Sequence, residues 1–204
     1  MNWINAIHKP SDCLLLSAFA LTEQEFNNEL KEETDKDYAK GVLSKYKFLP
    51  QHLYKYKHNR LVQTIEKVGE KVQQLGVTVK LHAKLEDLHN LTSFKVITLI
   101  AHFNDNRKLI ELSDKLHTTQ QFVDAVDKNF QGFWDLSVCN SIHLQDCLKN
   151  EFGDQCIVRA NKGLAEIKFH LVLYQNIIER LHKIDANYYA EMINLRLQLV
   201  QLLK

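Results

Sequence analysis

Hydrophobic and polar positions along the chain follow two periods. Short apolar runs bounded by Asn, Asp or Gly predict buried strands. Two of them stop at a reactive side chain. Val96-Ile97-Thr98-Leu99-Ile100-Ala101 runs into His102, and Phe133-Trp134-Asp135-Leu136-Ser137-Val138 runs into Cys139. Between them, over 118–130, Phe122, Val123, Val126 and Phe130 recur at helical spacing. Strand, helix and strand in that order imply a crossover between parallel neighbours. Both strands would then end at the carboxyl edge of one sheet, where open α/β sheets bind ligands. His102 and Cys139 are expected side by side on that rim.

The remaining pattern extends the same alternation. The apolar run 13–20 reads equally as a buried strand or the start of a helix, and Thr22-Glu23-Gln24-Glu25 resembles a capping box opening a charged helix over 23–40. Basic and aromatic residues interleave over 45–57, around Pro50. Leu61, Ile65, Val68, Val72 and Leu75 keep a 3–4 spacing that Gly76 closes as a C′ residue. A strand over 77–81, a turn or short helix over 84–89, a helix over 142–152 and a strand over 156–160 follow. Two amphipathic helices, 163–182 and 187–203, end the sequence. Tyr188, Met192, Leu195, Leu199 and Leu203 form one stripe of the last, and Ile193, Leu197 and Val200 add a second apolar face. The class is α/β, a mainly parallel sheet with helices on both faces. Residues 1–204 read as a single domain, with 1–60 as its partly irregular N-terminal part.

Composition narrows the options. A hydrophobic content of 45% and a charged content of 25% are those of a globular chain that can bury its own core. A formal net charge of +1 provides no field for nucleic acid or an anionic membrane. The acidic residues Glu32, Glu33, Asp35 and Asp37 offset the basic–aromatic stretch, so its aromatics are expected on the core rather than stacked on bases. No apolar run is long enough to cross a membrane, and the first residues lack the pattern of a secretory signal. Cys13, Cys139, Cys147 and Cys156 are few and irregularly spaced, which favours reduced thiols in a cytoplasmic protein.

The candidate chemistry centres on Cys139 and His102. A thiol becomes a nucleophile near neutral pH when a base or cation stands beside it, and the predicted rim brings one. The bland alternative is a core cysteine and a strand-end histidine with satisfied hydrogen bonds. Cys139, His143 and Cys147 recur every four residues, a spacing that zinc can use on a helix with His102 as a fourth ligand. Cys139 is expected to end a strand and the short C-x-x-C turn is absent, so the dyad is preferred and neither metal nor cofactor is expected.

The strand ending in His102, the acidic-flanked Ile110-Glu111-Leu112-Ser113-Asp114 and the later Leu136-Ser137-Val138-Cys139-Asn140-Ser141 resemble the caspase-like cysteine peptidases. The nearest likeness is to the CHAT group, over roughly residues 77–204. The resemblance implies a caspase-like three-layer sandwich and a cysteine endopeptidase that cuts specific protein substrates, in a defence or regulated cell-death setting. A separate regulatory or sensor protein is the implied partner. It implies Cys139 as nucleophile, His102 as base and acid, and the backbone N–H groups of Phe103 and Cys139 as oxyanion donors. Ser137, two residues before the cysteine, falls where the family's substrate pocket is lined; Glu23, Glu25 and Lys162 are further candidates for charge near that pocket. Two positions depart from the family: Phe103 replaces the Gly that follows the histidine, and Val138 the usual Ala. Phe103 motivates an alternative, a catalytically inactive caspase-like module that binds a protein partner. A zinc-stabilised binding protein is a distant third.

Overall fold

The computed structural model describes residues 6–32, 54–163 and 166–202. Its centre is a five-stranded sheet, every neighbouring pair parallel, in the order β2-β1-β3-β7-β8. The strands are β1 (Cys13–Ser17), β2 (Thr78–Lys80), β3 (Val96–Ile100), β7 (Gly132–Leu136) and β8 (Cys156–Arg159). The ambiguous run at 13–20 is therefore a strand. Strands buried on both faces read as unbroken apolar runs because alternate side chains enter different layers. Leu14 and Leu16 face one core with Ile97, Leu99, Trp134 and Leu136, whereas Cys13 and Leu15 face another with Val96, Ile100 and Phe133.

Helices cover both faces. On one lie α2 (Asn59–Gln74), α5 (Ile167–Lys183) and α6 (Tyr188–Leu202), while α1 (Glu23–Glu32) meets the turn at Tyr54–His58 through Phe26. Here α2 contributes Ile65, Val68 and Val72, α5 contributes Leu171, Tyr174, Ile177 and Ile178, and α6 contributes Tyr188 and Met192. On the other face lie α3 (Thr119–Ala125) and α4 (Ile142–Phe152), through Phe122, Val123, Leu144 and Leu148. On the second apolar face of α6, Ile193 is 38% and Leu197 57% exposed among the described residues. Gly76 ends α2 with φ +105°, the left-handed geometry predicted for a C′ glycine. The capping box at Thr22 forms as read, with the Glu25 carboxylate accepting from the Thr22 N–H at 3.0 Å and Thr22 Oγ1 from the Glu25 N–H at 3.2 Å. The rest of the predicted 23–40 helix and most of the basic–aromatic stretch lie outside the described residues; Tyr54–His58 form a π-helical turn.

One feature departs from the expected strand–helix–strand unit. After β3 the chain forms a small antiparallel meander, β4 (His102–Asn104), β5 (Leu109–Glu111) and β6 (Leu116–Thr118), before α3 begins. His102 therefore opens β4 instead of ending β3. The helix is also shorter than 118–130. Thr118 caps it by accepting from the Gln121 N–H at 3.1 Å, and the backbone of Val126 is already extended. The meander was hidden because its strands have three residues each, too few to establish a period.

Candidate active site at the carboxyl edge of the sheet

The chain leaves β1 for β2 on one side and returns to β3 on the other, so the order of the sheet reverses between β1 and β3. Such a switch point opens a crevice at the carboxyl ends of the strands. Residues that follow β1 and β3 meet there. The Ala18 N–H donates to the Ile100 carbonyl at 2.9 Å. Phe19 sets its ring edge-on to His102, with centroids 4.5 Å apart. Behind Phe19, His58 Nε2 donates to the Ala20 carbonyl at 2.6 Å, and the Tyr54 hydroxyl donates to the Leu21 carbonyl at 2.9 Å. Phe26 stacks on His58 with centroids 4.4 Å apart.

His102 is exposed, although protein crowds around its ring. That crowding disfavours the charged imidazolium, and the neighbouring His58 adds to the effect, so its pKa lies below the ordinary histidine value. The open face lets water moderate the depression. A neutral imidazole at pH 7 can accept a proton.

Cys139 stands in a turn beyond β7 and is half-buried. The register of the sheet relates it to His102. Leu99 on β3 pairs with Leu136 on β7, and the Ser137 N–H continues the ladder to the Leu99 carbonyl at 2.9 Å. His102 follows Leu99 by three residues, and Cys139 follows Leu136 by three. The two candidates thus leave adjacent strands from the same rung. Asn140, immediately after the cysteine, has φ +48°, a left-handed conformation that Asn tolerates better than most residues.

A polar clamp fixes this turn. Asn161 Nδ2 donates to the carbonyls of Leu136 at 3.0 Å and Val138 at 3.1 Å. The Ser141 hydroxyl donates to the Val138 carbonyl and accepts from the Asn161 N–H, each at 3.0 Å. The Ser141 N–H returns to the Asn161 carbonyl at 3.0 Å, and the Asn140 N–H reaches the Gly163 carbonyl at 2.9 Å. Below the clamp lies a buried ion pair. Asp135, 5% exposed, accepts from Nε and an Nη of Arg159 and from the Tyr188 hydroxyl at 2.9 Å. Arg159 also donates to Ser137 Oγ at 3.1 Å and Asn161 Oδ1 at 2.9 Å.

The other predicted site residues fall as follows. Ser137 is 2% exposed, so its hydroxyl is held by Arg159 inside the protein. The Phe103 side chain, 7% exposed, belongs to the core beneath the meander. The backbone of Phe103 is not among the positive-φ positions, so it adopts a conformation open to any residue. Glu25 is engaged as a cap of α1. On α4, Cys147 Sγ lies 3.7 Å from His143 Nε2, but Cys139 is off that helix, which breaks the predicted four-residue series. Among the described residues no group of three or more His, Cys, Asp or Glu side chains is placed to hold a metal ion. The four cysteines form no disulfide. Burial pushes the thiol of Cys13 far up, that of Cys156 up to about 11, and that of Cys147 upward.

Nothing local in the sequence marks Phe19, His58 or Asn161, which act by packing on or tying down a distant loop. Another signal is present in the strands. Asp135 and Arg159 each interrupt an apolar strand run, and a charge in such a run needs a partner of opposite sign. No family model matches the chain, and no curated protein or solved structure matches it either. Among the described residues no helix is long and apolar enough to cross a membrane.

Proposed function

We propose that the chain is a cysteine endopeptidase of caspase-like type, acting on protein substrates through His102 and Cys139. The observation that carries this reading is the shared register. Two chemically complementary side chains leave neighbouring parallel strands at the same distance from the Leu99–Leu136 rung, beside the switch point of the sheet.

In this reading neutral His102 accepts the proton of the Cys139 thiol. The sulfur forms a bond to the scissile carbonyl carbon, and the carbonyl electron pair moves to oxygen, facing the backbone N–H groups of Phe103 and Cys139. Collapse of the adduct breaks the C–N bond, and the imidazolium gives its proton to the departing amine. A water molecule, deprotonated by His102, then attacks the thioester and breaks the C–S bond, and the thiol regains its proton. The clamp of Asn161 and Ser141 supports the reading, because a nucleophile on a turn needs its backbone held. The ordinary φ of Phe103 answers part of the objection that its substitution for Gly raises. Neither metal nor cofactor enters these steps.

The test is proteolysis of a peptide library and of candidate protein substrates by the purified chain. Cleavage by wild type that disappears in both Cys139→Ala and His102→Ala supports the dyad. Cleavage that survives Cys139→Ala rejects it. Partner binding by wild type and Cys139→Ala alike, with no cleavage, would favour the inactive binding module.

A further inference from the structure

The geometry points to an oxyanion-binding site formed by Arg196 and His170 beside the carboxyl end of β8, where a carboxylate or phosphate group would complete an unbalanced buried charge. It does not rest on the peptidase reading.

Arg196 continues the inward stripe of α6. Tyr188 is fully buried and Met192 is 3% exposed, and Arg196 follows at the next i+4 position. Its guanidinium is thus turned towards α5 and β8, not into open solvent, and the residue is partly buried. Its Nε is wholly buried with no hydrogen-bond partner. An Nη approaches His170 Nδ1 at 3.5 Å, the outer limit for such a bond. Among the described residues it has no salt bridge to any carboxylate. The balancing charge is Asp135, but its Oδ1 already accepts from two donors of Arg159 and its Oδ2 from the Tyr188 hydroxyl. Two guanidinium groups therefore share one carboxylate. Burial and the repulsion of Arg159 hold the Arg196 pKa below its usual value.

An uncompensated, partly desolvated cation is costly, and a planar guanidinium is matched by the paired oxygens of carboxylate or phosphate. His170 supports that role. It is 7% exposed, and burial with the nearby cations Arg159 and Arg196 depresses its pKa to about 4, so it is neutral at pH 7. Because Arg196 can only donate, Nδ1 is the acceptor nitrogen and orients the guanidinium, while Nε2, on the other side of the ring, carries the proton.

The experiment is thermal unfolding of the full chain in low-salt buffer, titrated with sodium phosphate or sodium acetate against sodium chloride at equal ionic strength. A ligand that binds only the folded chain raises Tm in a saturable manner. Wild type is expected to respond to phosphate, acetate or both beyond the chloride control. A response to phosphate alone assigns the site to phosphate groups, and a response to acetate as well extends it to carboxylates. Arg196→Gln should weaken binding at least tenfold, and without added anion it should unfold no earlier than wild type, because an uncompensated charge is removed. His170→Gln, which keeps the cation, should weaken binding several-fold and serves if Arg196→Gln does not fold. Equal responses in wild type and both variants, or no response beyond chloride, would overturn the site.

Discussion

Replacing Arg159 by Met should destabilise the fold by about 3 kcal/mol, the lower part of the range for breaking a buried ion pair. The estimate comes from what the guanidinium holds. The Asp135 carboxylate is 5% exposed and loses two of its three donors, keeping only the Tyr188 hydroxyl at 2.9 Å. Ser137 Oγ and Asn161 Oδ1 each lose a charge-assisted bond, of 3.1 and 2.9 Å. Methionine keeps much of the side-chain stem, so the packing loss is small. The remaining attraction between Asp135 and Arg196 limits the damage, which places the figure at the lower end. The double variant Asp135→Asn with Arg159→Met leaves no isolated charge and should recover about 1 kcal/mol or more relative to Arg159→Met. Urea unfolding followed by circular dichroism and tryptophan fluorescence gives both numbers, with buried Trp134 on β7 as a reporter. The reasoning fails if Arg159→Met lies within about 1 kcal/mol of wild type at an unchanged m-value, or if the double variant is the less stable of the two.

Acidification should destabilise the chain between about pH 6.5 and 4. His170 is depressed to about 4 in the folded state, so the unfolded chain takes up protons first and stability, full above 6.5, is lost as pH falls. Its contribution is at most about 3 kcal/mol, and His170→Gln should flatten the urea midpoint against pH; an unchanged slope would refute the assignment. Gly132→Ala should prevent normal folding, because a Cβ there runs into the Lys95 carbonyl oxygen and the Phe130 ring at the entry to β7. A soluble variant with wild-type circular dichroism and Tm would contradict this. Thr118→Ala removes the cap of α3 and should cost about 1 kcal/mol, read as a drop in Tm; no drop would show that the cap contributes nothing.

The parallel sheet was legible because buried strands leave unbroken apolar runs, and the runs at β3 and β7 also located the rim that carries His102 and Cys139. The run at 13–20 could not be assigned alone, since its partners, Val96–Ile100 on one side and Thr78–Lys80 on the other, are distant in sequence. The meander was not legible for a related reason: its three-residue strands are stabilised by pairing and by Phe103 and Ile110 in the core, not by any local period. The substrate-pocket position of Ser137 came from resemblance, and the structure places its hydroxyl on Arg159. The clamp through Asn161 depends on a residue twenty-two positions beyond Cys139, a link that only the pairing of β7 with β8 creates. Asp135 and Arg159 could have been paired from sequence, because each is a lone charge in an otherwise apolar strand.

Alkylation rates of individual cysteines test the central pairing most directly. The chain would be treated with iodoacetamide at pH 7, and each of the four thiols followed by mass spectrometry in wild type and His102→Ala. The account predicts that Cys139 reacts first, ahead of part-exposed Cys147 and far ahead of buried Cys13 and Cys156, and that His102→Ala slows Cys139 about tenfold or more while leaving Cys147 unchanged. A Cys139 that labels no faster than Cys147, or at the same rate with and without His102, would contradict it.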